Sequence, residues 1–506
     1  MSRKKRLYLN TLTSLVFQVT TVICGFILPR LILKHYGSEV NGIISSINQF
    51  LALISFLDLG VGSVVQSSLY KPLAEKNDSQ VSEVITSAGK FFNKIAIALS
   101  IYIVFLFFVF PYVSHSSFDW KYIDVLIAVI SISSFAQYYF GVVDRLLLNS
   151  DQRGYIQYTV QIATLILNTL TCYIMIKQGF SIHIVKLSTS LIYLLRPLLI
   201  RLYVNNHYKI NRKAKYDTEP IKQKWNGMSQ HLASVVLDNT DIVVLTVFST
   251  PISVSIYSVY HMIVYGVKQL FLSLTTGIQA LIGEMWAKQE IDQLKMFFGK
   301  VEWVIHTGTV FVFGCMGLLI IPFVNLYTID INDANYIQIA FAILIVLANA
   351  VHCFRLPYNI MILAGGHYKQ TQHNYIIAAV LNLVVSVFTV SIWGLVGVAI
   401  GTLVAMLYQT VWMAIYVSRN LVKWPFNNFI KQFVVDAITM LFIFIIGVYV
   451  SFDANSFLVL LYQAIKCALI LFVVIVIINS VFYFPQIKSV FSSIKEKNHK
   501  FIHPRS

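Results

Sequence analysis

The sequence predicts an all-α polytopic membrane protein with about 14 transmembrane helices, and two observations carry that prediction. First, 57% of its 506 residues are hydrophobic and only 12% are charged, whereas soluble proteins average about 25% charged residues. Second, the apolar residues fall in runs that are long enough to cross a bilayer as a helix, which takes about 20 residues. Together these observations exclude a soluble globular protein.

The apolar runs can be placed with a sliding window of about 19 residues. The predicted spans, numbered one to fourteen, are residues 9–33, 40–69, 90–113, 120–143, 154–176, 182–204, 226–248, 254–281, 299–323, 336–360, 372–392, 394–417, 429–450 and 456–484. Because the number of spans is even, both termini are expected on the same side of the membrane.

Lysine and arginine are distributed very unevenly over the loops. The segments assigned to the inside carry 29 of them, and the outside loops carry 3. Because cytoplasmic loops of membrane proteins are enriched in these residues, both termini are predicted to be cytoplasmic. The same distribution accounts for the net charge of +16, so nucleic acid is not an expected partner. The run after the MSRKKR head continues to residue 33 without a small-residue cleavage site, which favours a retained first span.

The chain also reads as an internal repeat. A shift of 214 positions places residues 147–181 on 361–395 and Asp78 on Asp292, and it lays spans one to six over spans seven to twelve. Spans thirteen and fourteen stand outside the repeat. The predicted organisation is an N-terminal six-helix lobe (1–204), a basic cytoplasmic linker (205–225), a C-terminal six-helix lobe (226–417), an additional two-helix hairpin (418–484) and a basic cytoplasmic tail (485–506).

Two parallel six-helix lobes are typical of transporters that bind substrate near the bilayer midplane and open alternately to the two sides. The sequence has no P-loop, HExxH or GxSxG motif, so we expect no enzyme activity. Its five cysteines are scattered through apolar runs, and they predict neither a disulfide framework nor a metal site. No cofactor is expected.

Six basic residues fall inside the predicted spans. A charge at this depth costs at least about 2.5–3.5 kcal/mol and usually faces a cavity or a partner. Arginine binds phosphate through two parallel hydrogen bonds and lysine binds it as a point charge, so a cavity lined by them suits an anionic substrate. The six residues are Arg30, Lys186, Arg196, Lys268, Arg355 and Lys466.

Acidic residues in span seven are predicted to lie at the depth of Lys268 in span eight. Asp238 and Asp241 are three residues apart, so they share one helix face. One interpretation is a buried ion pair that only orients the two spans. The other is a cavity lysine whose charge is balanced by a titratable aspartate.

Spans one and two carry a second group of charges. Arg30 follows Pro29, a residue that loosens a membrane helix, and Lys34 lies one turn further along. Both cations could instead extend to the outer head groups. Asp58 in span two either caps a local hydrogen bond beside packing glycines or faces the lobe interface and titrates.

Other intramembrane residues give weaker predictions. Arg196 and Arg355 each lie one or two residues before a proline, and each either extends to the cytoplasmic face or contacts substrate. Lys186, Lys466 and Asp436 are weaker candidates. Three histidines could relay protons, although such residues commonly serve as hydrogen-bonded packing groups; these are His261, His306 and His352.

Three segments carry a family resemblance. The runs LPRLILKHYGSEVNG…LYKPLAEKN (28–77), NTDIVVLTVFSTPISVSIYSVY (239–260) and GIQALIGEMWAKQ (277–289) resemble the Wzx-type polysaccharide repeat-unit flippases of the multidrug/oligosaccharidyl-lipid/polysaccharide exporter superfamily. The resemblance implies a two-lobed fold with a cationic central cavity. By the same likeness, Arg30, Asp58, Asp241 and Lys268 fall on lobe-facing spans, and Glu284 lies in the Gly-Glu ending of span eight.

The resemblance implies that the protein moves undecaprenyl-diphosphate-linked oligosaccharide from the cytoplasmic to the outer leaflet of the bacterial plasma membrane. Membrane lipid, a polysaccharide polymerase and glycosyltransferases are its expected partners. The predicted substrate contacts are Arg30, Lys268, Arg196, Lys34 and Arg355, and the predicted ion-coupling or charge-balancing residues are Asp58, Asp238, Asp241 and Glu284.

Two alternative functions remain open from the sequence. One is an ion-coupled multidrug exporter of the same superfamily, which would need acidic residues exposed to the cavity. The other is a polytopic polysaccharide polymerase. Such enzymes carry a large extracytoplasmic loop, whereas the longest outside loop here, 324–335, is short and its only charged residues are Asp330 and Asp333.

Overall fold

The structure is a computed structural model that describes residues 3–54, 61–216, 218–221, 228–486 and 488. It is 86% helical, and the described residues contain no strand. Twelve helices are long and apolar enough to cross a membrane, and a shorter apolar helix covers Asn239–Phe248. The predicted all-α polytopic fold is therefore confirmed.

The described residues of all fourteen predicted spans lie mostly in helices, while 55–60 of span two and 226–227 of span seven lie outside the described residues. The helices are α1 Arg3–Ala52, α2 Val61–Ala74, α3 Asp78–Val113, α4 Trp120–Ala136, α5 Val142–Ser150, α6 Gly154–Lys177, α7 Ile182–His207, α8 Met228–Phe248, α9 Pro251–Ala287, α10 Ile291–Tyr327, α11 Ile339–Phe354, α12 Leu356–Ala364, α13 Tyr368–Trp393, α14 Leu395–Asn420, α15 Phe426–Tyr449 and α16 Phe457–Phe482. A five-residue π-helical turn, Gln137–Gly141, joins α4 to α5. The described residues contain twelve membrane-length helices, against fourteen predicted spans. One reason is that α1 contains both span one and the start of span two.

Helix starts recur along the chain at the spacing of the predicted repeat. Gly154 begins α6 and Tyr368 begins α13, 214 positions later in the sequence. Asp78 and Asp292 both lie in the first turn of long helices, of 36 and 37 residues. This is the spacing that a duplicated six-helix lobe requires.

The chain divides into two compact units. Unit 1 comprises Met1–Met262, Asp330–Ala334 and Ser386–Val398, and unit 2 comprises Ile263–Ile329, Asn335–Val385 and Ala399–Ser506. Unit 1 thus includes α8, which the repeat groups with the second lobe. Packing accounts for this placement, because α8 contacts α1 and the Thr246 hydroxyl donates to Ser46 Oγ at 2.7 Å.

Each unit has its own packed interior. In unit 1, α6 packs on α1 and α7, and α4 packs on α7, around aliphatic and aromatic side chains such as Ile47, Phe92 and Leu126. In unit 2, α10 packs against α11, α15 and α16. Trp303 on α10 donates to Asn479 on α16 at 2.8 Å, so the C-terminal hairpin is fixed to α10.

A break at Gly37 separates the two predicted spans within α1. Its φ of 86° lies in the left-handed region that glycine adopts without strain. A Cβ at this position would lie 2.9 Å from Asp333 Oδ2. That carboxylate accepts hydrogen bonds of 2.6 Å from both the backbone N–H and the hydroxyl of Ser38, so the residues around the break are held by loop 330–334 of the same unit.

Replacing Gly37 with alanine should lower the free energy of unfolding by roughly 1–3 kcal/mol, because the new methyl group meets both backbone strain and Asp333. Gly25→Ala on the same helix is the matched control, since nothing lies within 4 Å of its Cβ position. Thermal unfolding of the detergent-purified variants measures the difference. Equal stability of the two variants would contradict the account of the break.

Candidate functional site

Two of the predicted substrate cations are buried in unit 2, and one of them contacts His352 directly. Lys268 on α9 and Arg355 between α11 and α12 are 6% and 8% exposed, and both act electrostatically on the His352 ring. Arg355 Nη2 lies 3.3 Å from that ring, while its Nη1 donates to Gln409 Oε1. Lys268 Nζ lies 5.2 Å from the centroid of the Tyr265 ring. The result is a buried cationic cluster held by an amide and aromatic groups.

Arg355 lies where α11 passes into α12. α11 ends at Phe354 and α12 begins at Leu356, with Pro357 in its first turn. Because proline has no N–H, it interrupts the helical hydrogen bonding at this point, while Arg355 itself keeps helical backbone angles. The Arg355 side chain is buried within unit 2.

Arg196 lies in unit 1 and lines a different cavity. Its Nε donates to Thr164 Oγ1 at 2.8 Å, and its Cζ lies 3.8 Å above the Tyr193 ring centroid. Arg145 lines the same cavity of about 100 Å³. Arg145 lies outside the predicted spans, in a segment assigned to the cytoplasmic side. The sequence therefore provided no reason to treat it as an intramembrane charge.

Arg30 and Lys34 lie on α1 near a loop carboxylate of the same unit. Lys34 Nζ donates to Asp330 Oδ2 at 2.6 Å, and both side chains are about half exposed. This hydrogen bond, together with the charges of Lys34 and Arg30, lowers the pKa of Asp330. Because both partners are exposed, the pair contributes little to stability. A substrate role for Arg30 and Lys34 stays a prediction.

Of the two predicted aspartates in span seven, Asp241 is the one whose side chain the structure describes. It is buried and accepts a 2.8 Å hydrogen bond from the Tyr257 hydroxyl, and the Tyr257 ring stacks on His261. Asp58 and the side chain of Asp238 lie outside the described residues. The predicted pairing of Asp238 with Lys268 therefore stays a prediction.

Glu284 lies on the exposed last turns of α9. It forms an ion pair with Lys288 four residues later, and this hydrogen bond lowers its pKa below the usual value. That is the geometry of a solvated surface pair. The prediction that Glu284 couples ions or balances charge gains no support from this position.

Sequence reasoning missed a buried polar network in unit 2. His306 on α10 and Asp436 on α15 form a 2.6 Å contact, with side-chain exposures of 0% and 5%. One turn before His306, Glu302 accepts hydrogen bonds from the Tyr358 hydroxyl and from Trp424 Nε1. His306 was considered as a lone histidine and Asp436 as a weak candidate, because 130 residues separate them and no local pattern pairs them.

The fold and these residues define a polytopic helical membrane protein with buried cations in unit 2 and half-buried cations that line cavities in unit 1. Its fold is similar to that of the lipid II flippase MurJ in an inward closed conformation, with a TM-score of 0.68 and 15% identity over 95% of this chain and 100% of that chain. It is also similar to an inward-facing multidrug resistance transporter of the MATE family, with a TM-score of 0.61 and 13% identity over 79% of this chain and 94% of that one.

A third similar structure is a transporter of the same superfamily from Pyrococcus furiosus. It is described by a binding pocket of reverse polarity, and its TM-score is 0.51 at 15% identity, over 82% of this chain and 96% of the other. No family model and no curated protein matches the chain. The predicted superfamily fold is thus confirmed, and the structures that share it are transporters and a flippase.

Proposed function

We propose that the protein is a flippase that moves undecaprenyl-diphosphate-linked oligosaccharide from the cytoplasmic to the outer leaflet by alternating access, for capsule, O-antigen or cell-wall polysaccharide assembly. The Wzx-type resemblance and the fold shared with a lipid II flippase both support this function. In this proposal the chain lies in the bacterial cytoplasmic membrane with both termini inside. A polysaccharide polymerase and glycosyltransferases are proposed partners.

One observation carries the choice of an anionic substrate. Three cations of unit 1 line internal cavities: Arg145 and Arg196 line one, and Lys186 lines another of about 180 Å³ beside Asn168. None of the three belongs to an ion pair among the described residues. Since a buried charge without a counter-charge is costly, a cavity of this kind suits an anion.

The substrate diphosphate is proposed to contact Arg30, Lys268 and Arg355, with Arg196 assisting. Lys268 and Arg355 are supported by their shared burial beside His352. Asp58, Asp238 and Asp241 are proposed to balance charge or couple ions. Lys34 is a weaker contact, because its ammonium is bonded to Asp330.

The second candidate function is multidrug export, which the fold similarity to a MATE transporter supports. A cationic drug needs unpaired carboxylates facing its path. Of the described candidates, Asp241 is instead buried and bonded to Tyr257, and Asp436 is bonded to His306. The anionic substrate therefore fits the described residues better.

Proteoliposomes loaded in parallel with a fluorescent undecaprenyl-diphosphate oligosaccharide and with a cationic dye test the choice of substrate class. We expect movement of the anionic lipid and no dye transport above protein-free vesicles. Dye transport without lipid movement would contradict the flippase proposal and support multidrug export.

A further inference from the structure

Two arginines line one small cavity inside unit 1, and no carboxylate balances them. Arg145 comes from α5 and Arg196 from α7. Neither belongs to an ion pair within the part of the chain that the structure describes. Both side chains are half-buried. Two like charges that face one small space repel each other, so an anion in the cavity would be stabilised by both.

The remaining lining of the cavity is rich in hydrogen-bonding groups. It includes the hydroxyls of Ser133, Ser134 and Tyr193 and the amides of Gln137 and Gln161. Gln161 Oε1 is buried without a hydrogen-bond partner among the described residues. This side-chain amide is therefore available to bond a ligand. Amide oxygen and nitrogen can exchange places by a flip, so this group can present N–H donors to an anion.

The π-helical turn shapes one wall of this cavity. Gln137 and Gly141 at its two ends both line the space. A Cβ on Gly141 would lie 3.0 Å from Pro197 Cβ, so glycine allows the turn to pack closely against α7 beside Arg196. Turns of this type occur frequently at functional sites. Gln137 is exposed, which leaves the cavity an opening to the surface of the unit.

Size and donor geometry indicate the class of ligand. The cavity measures about 100 Å³, whereas a single water needs only about 10–15 Å³, so a small polyatomic anion has room. Guanidinium groups are planar forks that match phosphate oxygens bidentately. Two such forks with hydroxyl and amide groups supply more donors than a monatomic anion can use.

We propose that this cavity is a phosphate-binding site in which Arg145 and Arg196 hold one phosphate group between α5 and α7. The phosphate belongs either to the head group of a lipid or to free inorganic phosphate. The site adds a binding residue set to the proposed function. It depends on that function only for the identity of the molecule that supplies the phosphate.

Isothermal titration of the full-length protein in phosphate-free detergent tests the site. One arm uses inorganic phosphate and the other uses dihexanoyl phosphatidic acid, a short lipid phosphomonoester. We expect one saturable site per chain. Arg145→Gln and Arg196→Gln should each weaken binding about 10- to 100-fold, since a hydrogen bond to a charged group contributes about 1.5–3 kcal/mol. Arg196→Lys should recover part of the affinity.

The control is Arg419→Gln, which removes the same charge from an exposed position in the last turn of α14 and should leave the affinity unchanged. Binding of inorganic phosphate would identify free anion as a sufficient ligand, and binding of phosphatidic acid alone would identify a lipid head group. The site is overturned if wild type binds neither probe, or if the Arg145→Gln/Arg196→Gln double variant binds as wild type does.

The flipping assay separates this inference from the proposed function. Intact flipping by a protein that binds neither probe would overturn the phosphate site alone. Phosphate binding that depends on both arginines, in a protein that moves no lipid-linked oligosaccharide, would overturn the proposed function alone.

Discussion

Replacing Lys268 with alanine is expected to slow the flipping of lipid-linked oligosaccharide by about 10- to 100-fold. The reason is the loss of a charged contact worth about 1.5–3 kcal/mol, with each 1.36 kcal/mol changing a rate tenfold. Lys268 is buried, and its charge acts on His352 together with that of Arg355, so the variant removes one of two charges from this cluster. Initial rates in proteoliposomes with equal amounts of folded protein measure the effect.

Lys466→Ala is the matched control for this prediction. Lys466 is also a cation within a predicted span of unit 2, and its Nζ lies 5.3 Å from the Phe452 ring centroid, much as Lys268 lies beside Tyr265. Within the described part of the chain, no hydrogen bond or ion pair joins Lys466 to Lys268, Arg355 or His352, so Lys466→Ala should flip substrate at the wild-type rate. Equal losses in the two variants would show that Lys268 acts on folding or insertion and not on substrate.

Removal of one partner of the His306–Asp436 contact should produce the largest loss of stability. His306→Ala or Asp436→Ala is expected to lower the free energy of unfolding by about 3–5 kcal/mol, because each leaves a buried polar partner unbalanced. Thermal unfolding in detergent, followed by tryptophan fluorescence, measures it.

A double variant separates the polar contact from simple packing. His306→Phe combined with Asp436→Leu replaces both buried polar groups with apolar ones, which is often neutral. It should therefore be more stable than His306→Phe or Asp436→Leu alone, with a coupling energy of about 0.5–3 kcal/mol in the double-mutant cycle that these three variants form with wild type. Additive losses would mean that the 2.6 Å contact contributes little.

The helices could be predicted from the sequence because hydropathy and length act locally. The described residues of all fourteen predicted spans lie mostly in helices, and helix starts recur at the 214-residue spacing of the predicted repeat. The break at Gly37 falls in the gap between predicted spans one and two, residues 34–39, but its left-handed φ gives no signal in the sequence. Its cause is partly the Asp333 carboxylate, almost 300 residues away in the sequence.

The candidate site was predicted less completely than the fold. The cost of placing a charge inside the membrane predicted Lys268, Arg196 and Arg355 as site residues. It did not predict which of these residues lie in the same part of the fold. Lys268 and Arg355 are both buried in unit 2, and the charges of both act on His352. Arg145 was missed because a charge near the end of a span is normally explained by topology.

The measurement that tests the central claim most directly is transbilayer movement of an undecaprenyl-diphosphate oligosaccharide by the purified protein in proteoliposomes. It should be made on wild type beside Lys268→Ala, with and without an imposed pH gradient. We expect movement that requires Lys268, and a rate that depends on the gradient if protons drive transport. No movement by folded wild-type protein under either condition would contradict the account.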